Sequence, residues 1–413
     1  MTVETARSGP PQETQPGPLS ARYLSFVAAV GLSSIGDAAW MIALASTVVG
    51  VAGPATAGAV LAIAGLPRIV TMLVGGALAD RRGPARVMVG TDLGRCVVML
   101  AAAVAVLVTG PSVPVLVAAA AGLTLLSAFF VPASGALRPL LLPEKDLVRG
   151  NSLYLVGLRA GQAAGGPVGA FLVGLGGVAA VAVANAASFV VSALAVSRFR
   201  EKVPAKAAVA GPRFVTRVAE GFRHVARHRE LRRLVLVVGL AELASAGPVN
   251  IGLVLVADGI GAGVTGAGLL LSAFTVGATA AFLWGLVRPV GRHAGPVAMA
   301  SLLVQAAVLV TLGHVHATVA AIACYALLGL VSAQLGVVLV SQIQRATETS
   351  VRGRVMSIMS LVVFAAPPLG NAAIGGAIQW LGLTTTMVAH GVLALAAAAV
   401  YWSARALREA RLD

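Results

Sequence analysis

Charged side chains inside long apolar stretches are the groups in this sequence with the clearest capacity for chemistry. They are Asp37, Arg68, Asp92, Arg95, Arg159 and Glu242. A charge at the centre of a bilayer costs roughly 2.5–3.5 kcal/mol on insertion scales, so such groups normally face the interior of a helix bundle and find partners there. In membranes they form proton relays and line pathways for ions or substrates.

Asp37 and Arg68 fall near the midpoints of two consecutive antiparallel helices, so we expect them to meet at mid-depth. A guanidinium stabilises a carboxylate, whereas removal from water favours the neutral acid, and access to water decides which effect wins. The pair is therefore a candidate proton-coupling site. The alternative is a permanent ion pair that only holds the two helices together.

Asp92 and Arg95 are three residues apart and share one helix face near a cluster of charged residues. We expect them to latch a cytoplasmic gate, with direct contact to substrate as the alternative. The predicted gate comprises Gly76, Asp80, Arg81, Gly83, Arg86, Asp92, Arg95 and Arg159.

Glu242 is a second candidate for the proton-coupling role. It lies one helical turn from Ser245, which an internal repeat pairs with Asp37. The alternative is an acid at the membrane interface that pairs with arginines of the preceding linker.

Two further sets of residues follow from composition rather than charge. A run of glycines with one proline in the fifth predicted helix indicates close helix packing or bending: Gly157, Gly161, Gly165, Gly166, Pro167 and Gly169. Polar or aromatic side chains within apolar spans are candidates for a substrate cavity: Trp40, Gln162, Asn185, Asn250, Gln305, Tyr325, Gln334 and Asn371.

Signatures of enzymes and of metal or cofactor sites are absent from the sequence. It has no Walker-type loop, no Gly-x-Ser-x-Gly, no Cys-x-x-Cys and no His-rich metal pattern. We therefore expect no cofactor, no metal and no enzymatic activity, and an energy source in an ion gradient.

Composition predicts an all-α membrane protein. Of the 413 residues, 58% are hydrophobic and only 11% charged, and the mean hydropathy is +0.92. About 20 apolar residues span the hydrocarbon core as a helix, whose backbone groups are satisfied internally. Uncharged runs at 96–137, 160–197, 294–344 and 355–404 each have the length of two helices, with a glycine-rich break near the middle. With two further hairpins at 23–79 and 234–287, the sequence predicts twelve transmembrane helices.

The net charge of +15 is a topology signal rather than a sign of nucleic-acid binding. The basic residues cluster in alternate loops and at both ends, so the positive-inside rule places those loops and both termini in the cytoplasm. The predicted segments are a disordered tail (1–20), a six-helix bundle (21–197), a linker (198–233), a second six-helix bundle (234–404) and a tail (405–413). Periodicity from Arg213 onward predicts an amphipathic helix in the linker, either on the membrane surface or simply solvated.

Short matches between the two halves indicate a repeat offset by about 200 residues. Gly166-Pro167-Val168-Gly169 matches Pro367-Pro368-Leu369-Gly370, and Val30-Gly31-Leu32 matches Val238-Gly239-Leu240. Repeated six-helix halves put a substrate site near mid-membrane, at their interface.

Gly76-x-Leu-Ala-Asp80-Arg81-x-Gly83-x-x-Arg86 resembles the loop signature of major facilitator superfamily transporters. Phe130-Val131-Pro132-Ala133-Ser134, Arg149-Gly150-Asn151-Ser152-Leu153, Asn185-Ala186-Ala187-Ser188-Phe189, Gly36-Asp37 and Asp92-Leu93-x-Arg95 are similar to the drug:proton antiporter branch of macrolide and siderophore exporters. The resemblance implies rocking of two six-helix halves and proton-driven efflux. The basic motif of other drug antiporters is missing from the fourth predicted helix.

The resulting prediction is a monomeric bacterial inner-membrane exporter of amphipathic small molecules, which it exchanges for protons. An uptake symporter of the same fold is the alternative. A non-transporting receptor or scaffold is the alternative from another class.

Overall fold

A computed structural model describes residues 17–199, 214–287, 291–348 and 351–408. The side chains of residues 69–81, 214–218, 286, 292 and 406 are not among those described. All regular structure in these ranges is helical. The α-helices are α1 (Ala21–Arg82), α2 (Pro84–Thr109), α3 (Val113–Leu141), α4 (Leu147–Ser197), α5 (Phe214–Arg227), α6 (Arg229–Gly247), α7 (Leu253–Gly259), α8 (Gly263–Val287), α9 (Ala294–Leu312), α10 (Thr318–Arg345), α11 (Arg352–Trp402) and α12 (Arg405–Arg408).

Nine helical segments in the described ranges are long and apolar enough to cross a membrane. Three of them have 48, 54 and 51 residues, more than twice the length that one crossing needs. Each contains a glycine with positive φ, namely Gly53 (79°), Gly177 (64°) and Gly382 (77°). Glycine adopts this backbone conformation without steric cost, so the helices α1, α4 and α11 change direction where the sequence predicts turns.

The core consists of three apolar clusters. The largest includes Trp40, Met99, Phe189, Leu309 and Tyr325. The second joins residues of α6, α9, α10 and α11, and the third gathers the beginnings of α1 and α2 around the end of α3. Asp92 and Arg95 are the only Asp, Glu, Lys or Arg side chains among the described residues that are buried.

Two close helix crossings connect the first part of the chain with the second. In one, a Cβ added to Gly375 of α11 would lie 2.6 Å from the carbonyl oxygen of Pro54 and 2.9 Å from Cα of Gly58 on α1. In the other, Cβ atoms added to Gly166 of α4 and Gly268 of α8 would each overlap the other residue's carbonyl oxygen. Backbone therefore packs directly on backbone at both crossings, as small residues allow between membrane helices.

The linker helix α5 packs on the beginning of α11. Glu220 pairs with Arg354 at 3.2 Å, and a Cβ added to Gly221 would lie 2.6 Å from the Arg354 carbonyl oxygen. Val225 is buried on this contact face, whereas Phe222 is 66% exposed. Among the described side chains of α5, one apolar residue thus packs on the protein and another faces the surroundings.

Candidate functional site

Three ionisable side chains of the first half of the chain form a cluster around Arg95. Arg95 of α2 donates a hydrogen bond to the Asp92 carboxylate one turn earlier on the same helix. Its Nη1 also lies 3.9 Å from Oδ2 of Asp37 on α1. One guanidinium thus links two carboxylates from two helices.

Aromatic rings cover the guanidinium of Arg95. Its Cζ lies 4.3 Å from the ring centroid of Phe130 on α3 and 4.5 Å from that of Phe189 on α4. The Arg95 side chain is 2% exposed and that of Asp92 is fully buried. Cation–π attraction is strongest when the cation is desolvated, so these rings help to hold a charge that water cannot reach.

Asp37 differs from Asp92 in its access to solvent. Its side chain is 41% exposed, although it lies deep in the helix assembly. One carboxylate oxygen, Oδ1, has no hydrogen-bond partner in the described part of the chain. The Asp37 carboxylate is therefore charge-paired, with one buried and unpartnered oxygen on a side chain that is partly accessible.

Asn185 of α4 lies beside Asp37 because Gly36 lets the helices approach. A Cβ added to Gly36 would overlap Oδ1 of Asn185 and lie 2.9 Å from Oγ of Ser188. Oδ1 of Asn185 accepts a hydrogen bond from the Ser188 hydroxyl at 3.2 Å, and its Nδ2 donates none. This unpaired donor is available to the neighbouring carboxylate or to a ligand.

No ion pair joins Asp37 and Arg68 among the described side chains, so the expected pair stays a prediction. Arg68 lies with its guanidinium carbon 4.8 Å from the ring centroid of Phe364 on α11, and Arg95 takes its place beside Asp37. The second segment of α1 packs along α11, which draws the long Arg68 side chain toward the other half of the chain. Arg68 and Asp37 nevertheless lie close enough to interact electrostatically.

The residues of the predicted gate do not form one described group. Arg159 donates to Oε1 of Gln162 at 3.0 Å and lies 5.5 Å from the ring centroid of Phe282 on α8, apart from Asp92 and Arg95. Gly83 has φ of 83° immediately before α2, and Arg86 is exposed on the first turn of that helix. The side chains at Gly76, Asp80 and Arg81 lie outside those described.

The glycine run of the fifth predicted helix packs against α1. Gly157, Gly161, Gly165 and Gly169 are four residues apart, and a Cβ on any of them would approach α1 at less than 3 Å. Gly166, one position off this face, packs on α8 instead. Pro167 follows at an exposed position within the same helix.

Most of the predicted cavity residues are buried within the helix assembly. Exposure is 4% or less for Trp40, Asn185, Gln305, Tyr325 and Asn371, while Gln162, Asn250 and Gln334 are partly exposed. Tyr325 donates to the carbonyl of Pro248 at 2.9 Å, and Asn250 donates to Oδ1 of Asn371 at 3.1 Å. These bonds tie α10 and α11 to a π-helical turn, Pro248–Gly252, that follows α6.

Glu242 of α6 lines a cavity of about 50 Å³ in the second half of the chain, with room for a few water molecules. Its neighbours there include Ser245, Gln305 of α9 and Ser332 of α10. Glu242 has no ion-pair partner among the described residues, and part of the linker whose arginines are the alternative partners lies outside those residues. Sequence reasoning missed Ser332, because a serine in an apolar span has no signal of its own.

The aromatic partners Phe130, Phe189, Phe282 and Phe364 were also not predicted. Phenylalanine within an apolar span is indistinguishable from ordinary packing at the level of sequence. The predicted helices of the first half contain three arginines and two acids. This excess of arginine is the one sequence signal that some other group must stabilise a cation there.

Comparison with known proteins gives consistent results. Residues 26–255 match the model of the Major Facilitator Superfamily. The chain is 28% identical over 377 residues to the multidrug efflux pump Tap of Mycolicibacterium fortuitum, an alignment that covers 82% of this chain and 84% of that protein.

Solved transporters share the fold. The nucleoside transporter NupG, as its D323A mutant, has a TM-score of 0.76 at 13% identity, covering 92% of this chain and 99% of the other. A bacterial homologue of the iron transporter ferroportin has a TM-score of 0.62 at 18% identity, covering 94% and 100%. At these identities the likeness concerns the fold alone.

Proposed function

The chain belongs to the Major Facilitator Superfamily, and from this we propose that it is a proton-coupled exporter of amphipathic small molecules that works by alternating access. The proposal includes twelve membrane crossings in two six-helix halves, 21–197 and 234–404, joined by the linker 198–233. It also includes a monomer in the bacterial inner membrane with both termini in the cytoplasm. Transport is the activity of the family, and the export direction follows the multidrug efflux pump to which the chain is 28% identical.

The observation that carries the proton coupling is the environment of Asp37. Its carboxylate is partly accessible, has one unpartnered oxygen and lies 3.9 Å from a buried guanidinium. A proton that reaches Asp37 neutralises it and removes its attraction to Arg95. Arg95 keeps its charge, since arginine does not deprotonate in proteins, and remains paired with Asp92.

Asp37 can therefore change protonation while the rest of the cluster stays intact. When the site opens to the low-pH side, the carboxylate takes a proton. When it opens to the cytoplasm, the carboxylate releases the proton, and the negative charge becomes available to a cationic group on the substrate. Such competition between proton and substrate for one carboxylate couples their opposite movements.

Two intramembrane arginines lie between the halves in this scheme. Arg68 contacts Phe364, and Arg159 contacts Phe282, each across from one half to the other. Both contacts lie on helices that also meet at the glycine crossings, so separation of the halves would break them. We propose that these arginines stabilise one of the two access states, with the charged loop around Asp80 as the gate.

Vesicle transport tests the coupling and the direction together. Wild-type protein in inverted vesicles with an acidic interior should accumulate a cationic dye, and an uncoupler should abolish the accumulation. Asp37→Asn should lose this accumulation, whereas Glu144→Gln, which removes an exposed acid before α4, should keep it. Normal accumulation by Asp37→Asn would exclude the coupling role, and gradient-driven uptake into right-side-out vesicles would favour the symporter.

A further inference from the structure

The second half of the chain has a polar site at the place that corresponds to the buried guanidinium of the first half. Arg95 is the twelfth residue of α2, and Gln305 is the twelfth residue of α9. Asp37 is the seventeenth residue of α1, and Ser245 is the seventeenth residue of α6. The pair of acid and arginine in one half thus corresponds to serine and glutamine in the other.

The cavity of about 50 Å³ occupies this position. In the first half the guanidinium of Arg95 fills the space between two carboxylates and two aromatic rings. Gln305 is shorter and uncharged, so the corresponding space remains open. The acid of this half, Glu242, lies one turn before Ser245 and lines the same cavity.

Oxygen atoms around the cavity lack partners. Oε1 of Gln305 and Oγ of Ser332 are buried and accept no hydrogen bond from the described residues. The amide nitrogen of Gln305 is already used, because it donates to the carbonyl of Ala241 at 3.0 Å. Gln305 is 1% exposed, so its oxygen is fixed toward the interior.

Water molecules alone do not compensate the charge at this site. A few water molecules could donate hydrogen bonds to the unpartnered oxygens, but they would not compensate the negative charge that Glu242 carries when it is ionised. Among the described residues that line the cavity, Glu242 is the only ionisable one. His390 of α11 also packs against α6, where its Nδ1 lies 2.9 Å from the carbonyl oxygen of Ala244.

We propose that Glu242, Ser245, Gln305 and Ser332 bind a small monovalent inorganic cation of the size and charge of Na⁺. The cation takes the electrostatic place that the Arg95 guanidinium has in the other half. All the available ligands are oxygens, which suit hard cations. A single carboxylate matches a single positive charge, whereas a divalent ion would leave an uncompensated charge in the interior.

The site is accordingly in competition with protons. Protonation of Glu242 removes the only negative charge, so the bound cation leaves as the pH falls. This inference does not depend on the direction of transport or on the role of Asp37.

Thermal unfolding of the purified full-length protein in detergent tests the proposal. At pH 8.5 and constant ionic strength, replacement of choline chloride by NaCl should raise the Tm saturably, by about 2 °C or more. Glu242→Gln should abolish the shift, Ser332→Ala should weaken it, and Glu144→Gln, a matched exposed acid, should retain it. The Na⁺ concentration at half-effect should increase as the pH is lowered.

Three results would overturn the proposal. They are an equal Tm in NaCl and choline chloride, a Na⁺ shift that persists in Glu242→Gln, and a pH-dependent Tm with no response to Na⁺, which would assign the site to protons alone. If Glu242→Gln does not fold, a Na⁺-dependent rise in Tm that is undiminished in Ser332→Ala would likewise overturn the proposal. No transport is measured, so failure here is distinct from failure of the proposed export.

Discussion

Neutralising the two acids that contact Arg95 should have very different effects on stability. Asp92 is fully buried and hydrogen-bonded to the guanidinium, whereas the Asp37 side chain is 41% exposed and 3.9 Å away. Removal of one partner from a buried ion pair costs about 3–5 kcal/mol, because it leaves an uncompensated charge. A solvent-accessible pair contributes only about 0–1 kcal/mol.

Asp92→Asn should therefore destabilise the protein by about 3–5 kcal/mol, and Asp37→Asn by about 1 kcal/mol or less. The assay is thermal unfolding of each variant in detergent, monitored by intrinsic tryptophan fluorescence. Arg159→Gln is the matched control for an intramembrane charge, because Arg159 has a neutral hydrogen-bond partner, Gln162, and no ion pair among the described residues.

The double variant Asp92→Asn/Arg95→Gln adds a test of mechanism. If the loss in Asp92→Asn comes from the stranded guanidinium, removal of both charges should recover a substantial part of it. Equal losses of stability in Asp92→Asn and Asp37→Asn would refute the reasoning. So would a double variant whose loss of stability exceeds the summed losses of Asp92→Asn and Arg95→Gln.

Two further predictions concern contacts between helices. Gly166→Leu should abolish transport in the vesicle assay, because the leucine side chain would overlap the backbone of Gly268. Gly174→Leu is the control and should transport normally, since there is open space at its added Cβ. Glu220→Gln should change the Tm only slightly, since its pair with Arg354 is 41–44% exposed and such pairs contribute at most about 1 kcal/mol; a large drop would show that α5 is held mainly by this pair.

Features that depend on position along one helix could be predicted from the sequence. The family resemblance, the helical class and the breaks at Gly53, Gly177 and Gly382 follow from local patterns, and the comparisons and the structure confirm them. The four-residue spacing of Gly157, Gly161, Gly165 and Gly169 defines a small-residue face without any knowledge of the partner helix.

Features that depend on helix rotation and neighbours could not be predicted. Asp37 and Arg68 have similar depth, but depth does not specify which side chains face each other, and Arg95 from a later helix reaches Asp37 first. The Glu242 cavity similarly requires the relative rotation of α6, α9 and α10. Apolar spans carry little periodicity that could set these rotations, because lipid and protein interior are both apolar.

The glycine crossings have a mechanical consequence for any movement between the halves. At the points Gly58–Gly375 and Gly166–Gly268 the atoms in contact are main-chain atoms, so separation at these points requires no change of side-chain rotamer. Movement at these two points therefore depends on the absence of any bulky side chain between the helices.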